Sequence, residues 1–388
     1  MPHLSRRMSG YGTTIFSQIN ALAAQHDAVN LGQGAPNFDG PDDVIQAASD
    51  ALLSGNYNQY ANGWGAPALR EAIAAHARRF YNMDIDPDTQ VMVTCGATEG
   101  IFSSIYGSID PGDEVIVIEP YYDIYVPTIE TAGGVPVYVP LQPPDWRLDV
   151  DALRAAFSER TRAIVINTPN NPTGRVFSRA ELQAIADLCI EHDAICICDE
   201  VYEHIRYDDN AHIPIATLPG MFERTLRIGS VAKSFSITGW KIGWVTGPAH
   251  LLQGVFRAHQ LTTFAIFHPG QIGAAHALCL PDDYFQQLGQ DYAHKRALML
   301  QGLDAAGLRY HAPEGAFYVM ADFSDHFEGD SFGFAQHLIE EVGVASIPPG
   351  TFYSDEHRHL ANHYVRFAFC KTDDVLYQAC EKLSNLTA

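Results

Sequence analysis

Apolar residues concentrate in seven short runs between residues 90 and 250, and most of these runs contain few polar positions. The runs cover residues 91–94, 114–118, 135–139, 163–167, 194–198, 225–229 and 243–245. Short runs rich in β-branched residues predict strands. Because the runs are nearly continuous rather than alternating, they predict a sheet that is covered on both faces.

Helical spacing of apolar residues separates these runs. Two apolar stripes are clear, formed by Leu69, Ala72, Ile73 and Phe80 after Pro67, and by Leu182, Ile185, Leu188 and Cys189. Strands that alternate with helices predict an α/β fold with a mostly parallel central sheet. Beyond residue 280 a smaller α+β unit is predicted, with helices at 283–306, 333–342 and 374–386 and strands at 316–321 and 364–369.

Charge and composition favour small molecules as partners. The chain of 388 residues has 24 basic and 46 acidic residues and a net charge of -22, so nucleic acid and anionic membranes would be repelled. No run of 18 apolar residues occurs, and no apolar leader segment follows the amino terminus. We therefore expect a cytoplasmic protein without a membrane span.

Two groups of potential metal ligands have simpler interpretations. Cys196 and Cys198 alternate along one predicted strand, which is typical of reduced core cysteines. His357, His359 and His363 lie among charged residues in a segment typical of a solvated loop. We predict no metal site at either place.

Polar residues follow the carboxyl ends of five predicted strands, at residues 95–98, 119–122, 168–174, 199–202 and 230–233. In open α/β sheets, ligands bind just beyond these ends. The last segment contains Lys233 among apolar neighbours, with Ser230 three residues before it and Lys241 eight after it. Ser230 and Lys241 could bind a phosphate, and a desolvated Lys233 could react with an aldehyde.

These segments together resemble the pyridoxal-phosphate-dependent aminotransferases of classes I and II, which have fold type I. The resemblance is carried by Asp-Glu-Val-Tyr at 199–202, Asn-Pro-Thr-Gly at 171–174 and the segment 230–243. Taken alone, Asp199 would predict a helix cap and residues 170–174 a turn. The similarity extends along nearly the whole chain, and segments 30–34, 113–116, 119–125 and 352–354 resemble the branch with kynurenine aminotransferase, glutamine transaminase K and methionine aminotransferase.

The resemblance implies a pyridoxal 5'-phosphate cofactor and a role for each candidate residue. Lys233, Asp199 and Tyr202 would be catalytic, with Asp199 at the ring nitrogen and Tyr202 and Asn171 at the phenolic oxygen. The other residues implied to bind the cofactor are Gly96, Ala97, Thr98, Tyr122, Ser230, Lys241 and Tyr60. Tyr122 would stack on the ring, although core packing is its alternative. Tyr60 would come from a neighbouring subunit, so the resemblance implies a homodimer.

Substrate would be held by Gly34, Phe16, Tyr125, Asn171 and Arg366. Arg366 lies within a predicted strand and needs a carboxylate partner, either the α-carboxylate of an amino acid or an acidic residue of the chain. The side-chain pocket, formed with Phe267 and His268, would be apolar and aromatic. Phe16 and Thr98 stand where kynurenine-active relatives carry tryptophan and tyrosine, which disfavours kynurenine.

The expected activity is transfer of the amino group of methionine, glutamine or an aromatic amino acid to a 2-oxo acid by a ping-pong mechanism. A β-lyase acting on C–S bonds and a non-catalytic sensor that binds the cofactor are the alternatives. By the same resemblance, residues 1–40 would form an amino-terminal arm and part of the small domain. Residues 41–281 would form the large cofactor-binding domain, and 282–388 the rest of the small domain.

Overall fold

A computed structural model of the chain describes residue 5 and residues 7–386. Its strands are β1 Val29–Asn30, β2 Val91–Cys95, β3 Glu114–Glu119, β4 Val135–Pro140, β5 Thr161–Asn167, β6 Ile195–Asp199, β7 Thr225–Ser230, β8 Ile242–Thr246, β9 Arg309–Tyr310, β10 Tyr318–Asp322, β11 Val344–Ala345 and β12 Tyr364–Ala368. The seven predicted apolar runs are β2 to β8. The observed strands start or end within two residues of the predicted bounds.

The α-helices fill the intervals between the strands. They are α1 Ile15–Gln25, α2 Asp42–Leu53, α3 Pro67–Tyr81, α4 Gly96–Tyr106, α5 Tyr125–Ala132, α6 Val150–Ala156, α7 Arg179–Glu191, α8 Val231–Ser234, α9 Ala249–Thr262, α10 His268–Leu278, α11 Asp282–Ala305, α12 Ser331–His337 and α13 Asp373–Leu383. The two predicted apolar stripes lie on α3 and α7. Among the described residues, no helix is both long and apolar enough to cross a bilayer.

The central sheet has seven strands in the order β2-β8-β7-β6-β5-β3-β4. Strand β8 is antiparallel to both of its neighbours, and the other pairs are parallel. The predicted mostly parallel sheet is therefore confirmed. Because six strands run in one direction, their carboxyl ends lie along the same edge.

Helices cover both faces of this sheet. On β6, Cys196 and Cys198 pack into a core with α6 and α7, as the alternation predicted. The intervening Ile195 and Ile197 pack into a second core, with α4, α5 and α9. Strands buried on two sides need apolar residues at every position, which explains the continuous runs.

A smaller sheet with strand order β12-β10-β9 packs with α11 and α13. Residues from α1 enter the same core, and β1 pairs in parallel with β11. Amino-terminal and carboxy-terminal segments thus share a core, while the domain bounds at residues 40 and 281 stay a prediction. Of the predicted ranges, residues 1–4, 6, 387 and 388 lie outside the described residues.

Three predicted elements of this smaller unit have different bounds, and one of them is α13, which ends at Leu383 instead of residue 386. The strand expected from residue 316 begins at Tyr318, because Ala316 has a positive φ of 55° and its N–H donates to the Ile205 carbonyl. The helix expected at 333–342 ends as an α-helix at His337 and continues as a π-helix over Leu338–Val342. Apolar residues of these last two segments remain buried despite the changes, among them Phe317, Leu338 and Ile339.

Gly243 on β8 lets the beginning of α4 lie directly against the sheet. A Cβ atom at this position would lie 2.7 Å from the Ala97 nitrogen and 2.7 Å from the Gly96 carbonyl carbon. Both neighbours are backbone atoms, so a clash displaces the main chain rather than a side chain.

We expect Gly243→Ala to lower the free energy of unfolding by about 1–3 kcal/mol through overpacking, measured by urea denaturation. Gly239→Ala is the matched control, since nothing lies within 4 Å of a Cβ atom there. Equal stability of the two variants would show that this close approach is not required.

Candidate active site

A cavity of about 400 Å³ lies beyond the carboxyl ends of the central strands. It brings together most of the predicted site residues, namely Phe16, Gly34, Gly96, Ala97, Thr98, Tyr122, Asn171, Asp199, Tyr202, Ser230, Lys233, Lys241 and Arg366. Tyr60 and Tyr125 do not line it. The segments identified from the sequence therefore do converge on one place, as the sheet topology requires.

Lys233 lies on α8, the short helix that follows β7. Ser230 begins this helix, and its hydroxyl accepts a hydrogen bond from the Ala232 N–H at 3.0 Å. The Lys233 Nζ donates to the Gly34 carbonyl at 3.3 Å and lies 5.7 Å from the centre of the Tyr202 ring. Burial lowers the pKa of the Lys233 amine. A larger neutral fraction makes this amine more nucleophilic.

Asp199 ends β6 and is buried. Its Oδ2 accepts a hydrogen bond from the Tyr125 hydroxyl at 2.7 Å. Burial raises the pKa of Asp199 to about 6, although the Tyr125 hydroxyl and the Val201 N–H lower it. A carboxylate that is so poorly solvated has a strong preference for a cationic partner.

The prediction that Tyr125 contacts substrate is not supported by its position. Its side chain is buried and its hydroxyl is used to hold Asp199. Tyr125 starts α5, which packs beneath the sheet edge. Tyr125 therefore holds the Asp199 carboxylate by a hydrogen bond and does not line the cavity.

Arg366 projects from β12 and is almost fully buried. Its guanidinium donates to the Asn171 Oδ1 at 2.8 Å and to the Gly32 carbonyl at 2.6 Å, while its Nε has no partner. No ion pair joins Arg366 to an acidic residue of the described chain. The alternative of an internal acidic partner is therefore not observed, and the cation faces the cavity without a counterion.

Tyr318 on β10 is a site residue that sequence reasoning missed. Its hydroxyl lies 3.1 Å from the Tyr202 hydroxyl, and the Arg366 guanidinium lies 4.3 Å from the centre of its ring. A Cβ atom on Gly34 would lie only 1.9 Å from the Tyr318 hydroxyl oxygen, so glycine is needed at position 34. The strand period of two could have indicated Tyr318, but that signal does not distinguish a cavity from a core.

The beginning of α4 forms the other end of the cavity. Gly96 has a φ of +69°, and a Cβ atom there would lie 3.3 Å from the Lys241 Nζ. That Nζ also donates to the Thr98 hydroxyl at 3.3 Å. The first N–H groups of a helix lack intrahelical partners, so residues 96–98 and Lys241 together fit an anionic group.

Three predicted residues lie away from the cavity. Tyr60 is 83% exposed and its ring packs edge-on against Phe264. Phe267 is also exposed, and His268 packs against Tyr57. The predicted side-chain pocket with Phe267 and His268 is therefore not formed within the described chain, because neither residue lines the cavity.

Histidines and acids outside the cavity form pairs that were not predicted. His357 contacts the buried Glu119, which explains one member of the histidine group at 357–363. Behind Asp199, the buried Arg227 bonds both Glu200 and Glu203. These two acids follow Asp199 in the sequence, but nothing in the sequence shows which cation they meet.

The cavity has the chemistry of an aminotransferase site, and comparison with known proteins decides the family. Residues 26–383 match the family described as aminotransferase class I and II. The chain belongs to this family. The sequence prediction of the family, the enzyme class and fold type I is thus confirmed.

Three relatives place the chain within the family. The solved structure of N-succinyldiaminopimelate aminotransferase from Mycobacterium tuberculosis is 44% identical, with a TM-score of 0.96, covering 99% of this chain and 100% of that one. Kynurenine–oxoglutarate transaminase 1 from Rattus norvegicus is 40% identical over 413 residues, covering 98% and 97% of the two chains. YbdL from Escherichia coli, which has a methionine aminotransferase function, is 36% identical with a TM-score of 0.95 and full coverage of both chains.

Class I and II aminotransferases use pyridoxal 5'-phosphate, and the cavity fits this cofactor at each end. The glycine at residue 96 leaves room for a phosphate beside Lys241. The buried Asp199 suits a protonated ring nitrogen, and Lys233 lines the same cavity as Asp199 and Lys241.

Replacing Asp199 tests the electrostatic cost of this arrangement in the cofactor-free protein. Because the folded state binds the Asp199 proton more tightly than the unfolded state, its contribution favours folding below about pH 4 and is lost as pH rises through about 6. As pH rises from about 4 to about 7, we expect the free energy of unfolding of Asp199→Asn to increase by about 3 kcal/mol relative to that of wild type. Urea denaturation at several pH values measures it, and a difference independent of pH would contradict it.

Proposed function

We propose that this aminotransferase moves the amino group of an amino acid with a neutral side chain, such as methionine, glutamine or an aromatic amino acid, to a 2-oxo acid. The observation that carries the proposal is the set of cations around the cavity. Among the described residues that line it, these are Lys233, Lys241 and Arg366. With Lys241 at the phosphate end and Lys233 at the aldehyde, Arg366 can bind one substrate carboxylate and none remains for a second.

Arg366 would orient the substrate through its α-carboxylate. A planar guanidinium makes two parallel hydrogen bonds to a carboxylate, and this one is already fixed by Asn171 and the Gly32 carbonyl. Burial lowers the pKa of Arg366, and no acidic residue of the described chain forms an ion pair with it. A substrate carboxylate supplies the missing negative charge, so the binding energy is directed at the group common to all amino acids.

Lys233 would hold the cofactor aldehyde and then act as the base and acid of the reaction. When bound, pyridoxal phosphate supplies an electron sink for bonds at the substrate α-carbon. The Lys233 Nζ, freed by the incoming substrate amine, takes the proton from the substrate α-carbon, and desolvation favours the neutral amine that this requires. The second half of the reaction runs in reverse with a 2-oxo acid, which gives ping-pong kinetics.

The remaining cavity residues would bind and tune the cofactor. Asp199 keeps the ring nitrogen protonated, and its position is held by Tyr125. Tyr202 and Asn171 are directed at the phenolic oxygen, and Tyr122 stacks on the ring. Gly96, Ala97, Thr98, Ser230 and Lys241 bind the phosphate.

The names of relatives leave the substrate open, and the cavity disfavours one of them. Relatives act on N-succinyldiaminopimelate, kynurenine and methionine according to their names. A succinyl group carries a carboxylate far from the α-carbon, for which the described lining has no cation. The ring centroids of Phe16 and Phe352 lie 6.0 Å apart. Phe16 makes its part of the cavity lining apolar, which suits a thioether or an aromatic ring. The relatives are named as aminotransferases, which does not favour the β-lyase alternative.

We also propose a cytoplasmic homodimer in which Tyr60 completes the phosphate site of the neighbouring subunit. Tyr60 is highly exposed and packs against the exposed Phe264, and Leu261 and Phe267 near Phe264 in the sequence are exposed too. A group of exposed aromatic residues is typical of an interaction surface.

Absorbance of the purified holoenzyme near ~420 nm tests cofactor and substrate together. We expect methionine, glutamine and phenylalanine to shift this absorbance and to yield their 2-oxo acids with a suitable acceptor, whereas N-succinyldiaminopimelate, which keeps one free α-amino group, does not. Lys233→Ala should lose both the absorbance and the activity while remaining folded. Turnover of the succinylated compound alone would refute the proposed substrate class, and an active Lys233→Ala variant would refute the role of the lysine.

Removing the guanidinium of Arg366 tests its role in binding the α-carboxylate. We expect Arg366→Ala to raise KM for amino-acid substrates by roughly 100-fold or more, since a buried charge-assisted pair is lost. Arg358→Ala is the control, because Arg358 is exposed and pairs with Asp355. Steady-state kinetics measure both variants, and an unchanged KM in Arg366→Ala would remove the assigned role.

A further inference from the structure

A buried pair of ionisable residues lies directly under the beginning of α4. Glu99 is in the first turn of this helix, one residue after Thr98, and His259 is near the end of α9. The His259 Nδ1 lies 2.6 Å from the Glu99 Oε1, and the imidazole is fully buried. The two helices are otherwise joined by packing of apolar residues.

Hydrogen bonding determines how many protons this pair carries. The second ring nitrogen of His259, Nε2, lies 3.1 Å from the Phe264 carbonyl, which can only accept. Nε2 must therefore carry a hydrogen, and a second proton lies between Nδ1 and the Glu99 carboxyl group. Burial would raise the pKa of Glu99, but the hydrogen bonds from His259 and the Cys95 N–H lower it overall. With these two protons the pair is neutral overall, whichever of the two atoms holds the shared one.

The same carboxylate holds the chain just before the helix. The Glu99 Oε2 accepts a hydrogen bond from the Cys95 N–H, across the turn that contains Gly96. The Thr262 hydroxyl donates to the other carboxylate oxygen at 3.4 Å. Glu99 therefore fixes the turn of residues 95–98 from one side, and His259 fixes Glu99 from the other.

Charge gives His259 a second effect. An unpaired carboxylate in the first turn of α4 would repel an anion bound by the N–H groups of residues 96–98. The proton shared with His259 keeps the pair neutral within hydrogen-bonding distance of the turn. Phe264, whose carbonyl contacts His259, also packs against the exposed Tyr60, with ring centroids 5.5 Å apart.

We propose that Glu99 and His259 are positioning residues that set the affinity of the site for the cofactor's phosphate. They hold the turn of residues 95–98 in its anion-binding geometry and keep the charge beneath it neutral. This inference rests on the proposed function, in which that turn binds the phosphate. It predicts an effect on ligands that carry a phosphate and none on ligands that lack it.

The test compares pyridoxal 5'-phosphate with pyridoxal, which has the same ring and aldehyde but no phosphate. The full-length protein is stripped of cofactor and titrated with each compound, and binding is followed by absorbance. For His259→Gln we expect affinity for pyridoxal 5'-phosphate to fall at least about tenfold, with little change for pyridoxal. Glu99→Gln, which is close in shape, should weaken the same ligand selectively. His250→Gln, an exposed residue of the same helix, is the control.

Thermal unfolding of each cofactor-free variant establishes that it is folded, and Glu99→Gln carries the test if His259→Gln is not. An equal loss of affinity for both compounds would overturn the proposal, since it would indicate a general structural defect. Unchanged affinity for pyridoxal 5'-phosphate in both variants would also overturn it. If wild type binds neither compound, the proposed function itself fails, which is a separate result.

Discussion

The hydrogen bond between the buried Asp199 carboxylate and the Tyr125 hydroxyl is the interaction on which the site depends. The Asp199 carboxylate at the end of β6 is buried, and the Tyr125 hydroxyl and the Val201 N–H offset only part of the solvation that burial removes. The solvation that is still missing raises the free energy of the ionised Asp199, and a positive charge in the cavity would lower it. Asp199 and Lys233 line the same cavity. A cofactor bound there would bring the cationic ring nitrogen that the Asp199 carboxylate lacks in the protein alone.

A similar deficit exists at the opposite side of the cavity. Arg366 has hydrogen-bond partners in Asn171 and Gly32 but no negative partner in the described chain. The Asp199 carboxylate and the Arg366 guanidinium line the same cavity, but they do not form an ion pair with each other. Asp199 ends strand β6 and Arg366 lies within strand β12. Each instead selects a group of opposite sign, the pyridinium in one case and a carboxylate in the other.

The apolar runs were sufficient to predict β2 to β8, because strands buried on both faces leave a continuous signal. The cavity residues at the strand ends could be predicted for the same reason, together with the resemblance of segments 171–174, 199–202 and 230–243. Tyr125, Tyr318 and the pair Glu99–His259 could not be assigned in this way. Their roles depend on contacts between residues 74 to 160 positions apart, and local patterns contain no information about such contacts.

The contact between Gly34 and Tyr318 couples two distant positions of the chain. With the Tyr318 phenol in its present position, a side chain at residue 34 has no room, so it requires the phenol to move or a smaller residue at 318. The two positions therefore depend on each other, and laboratory evolution of the cavity would sample them best as a pair.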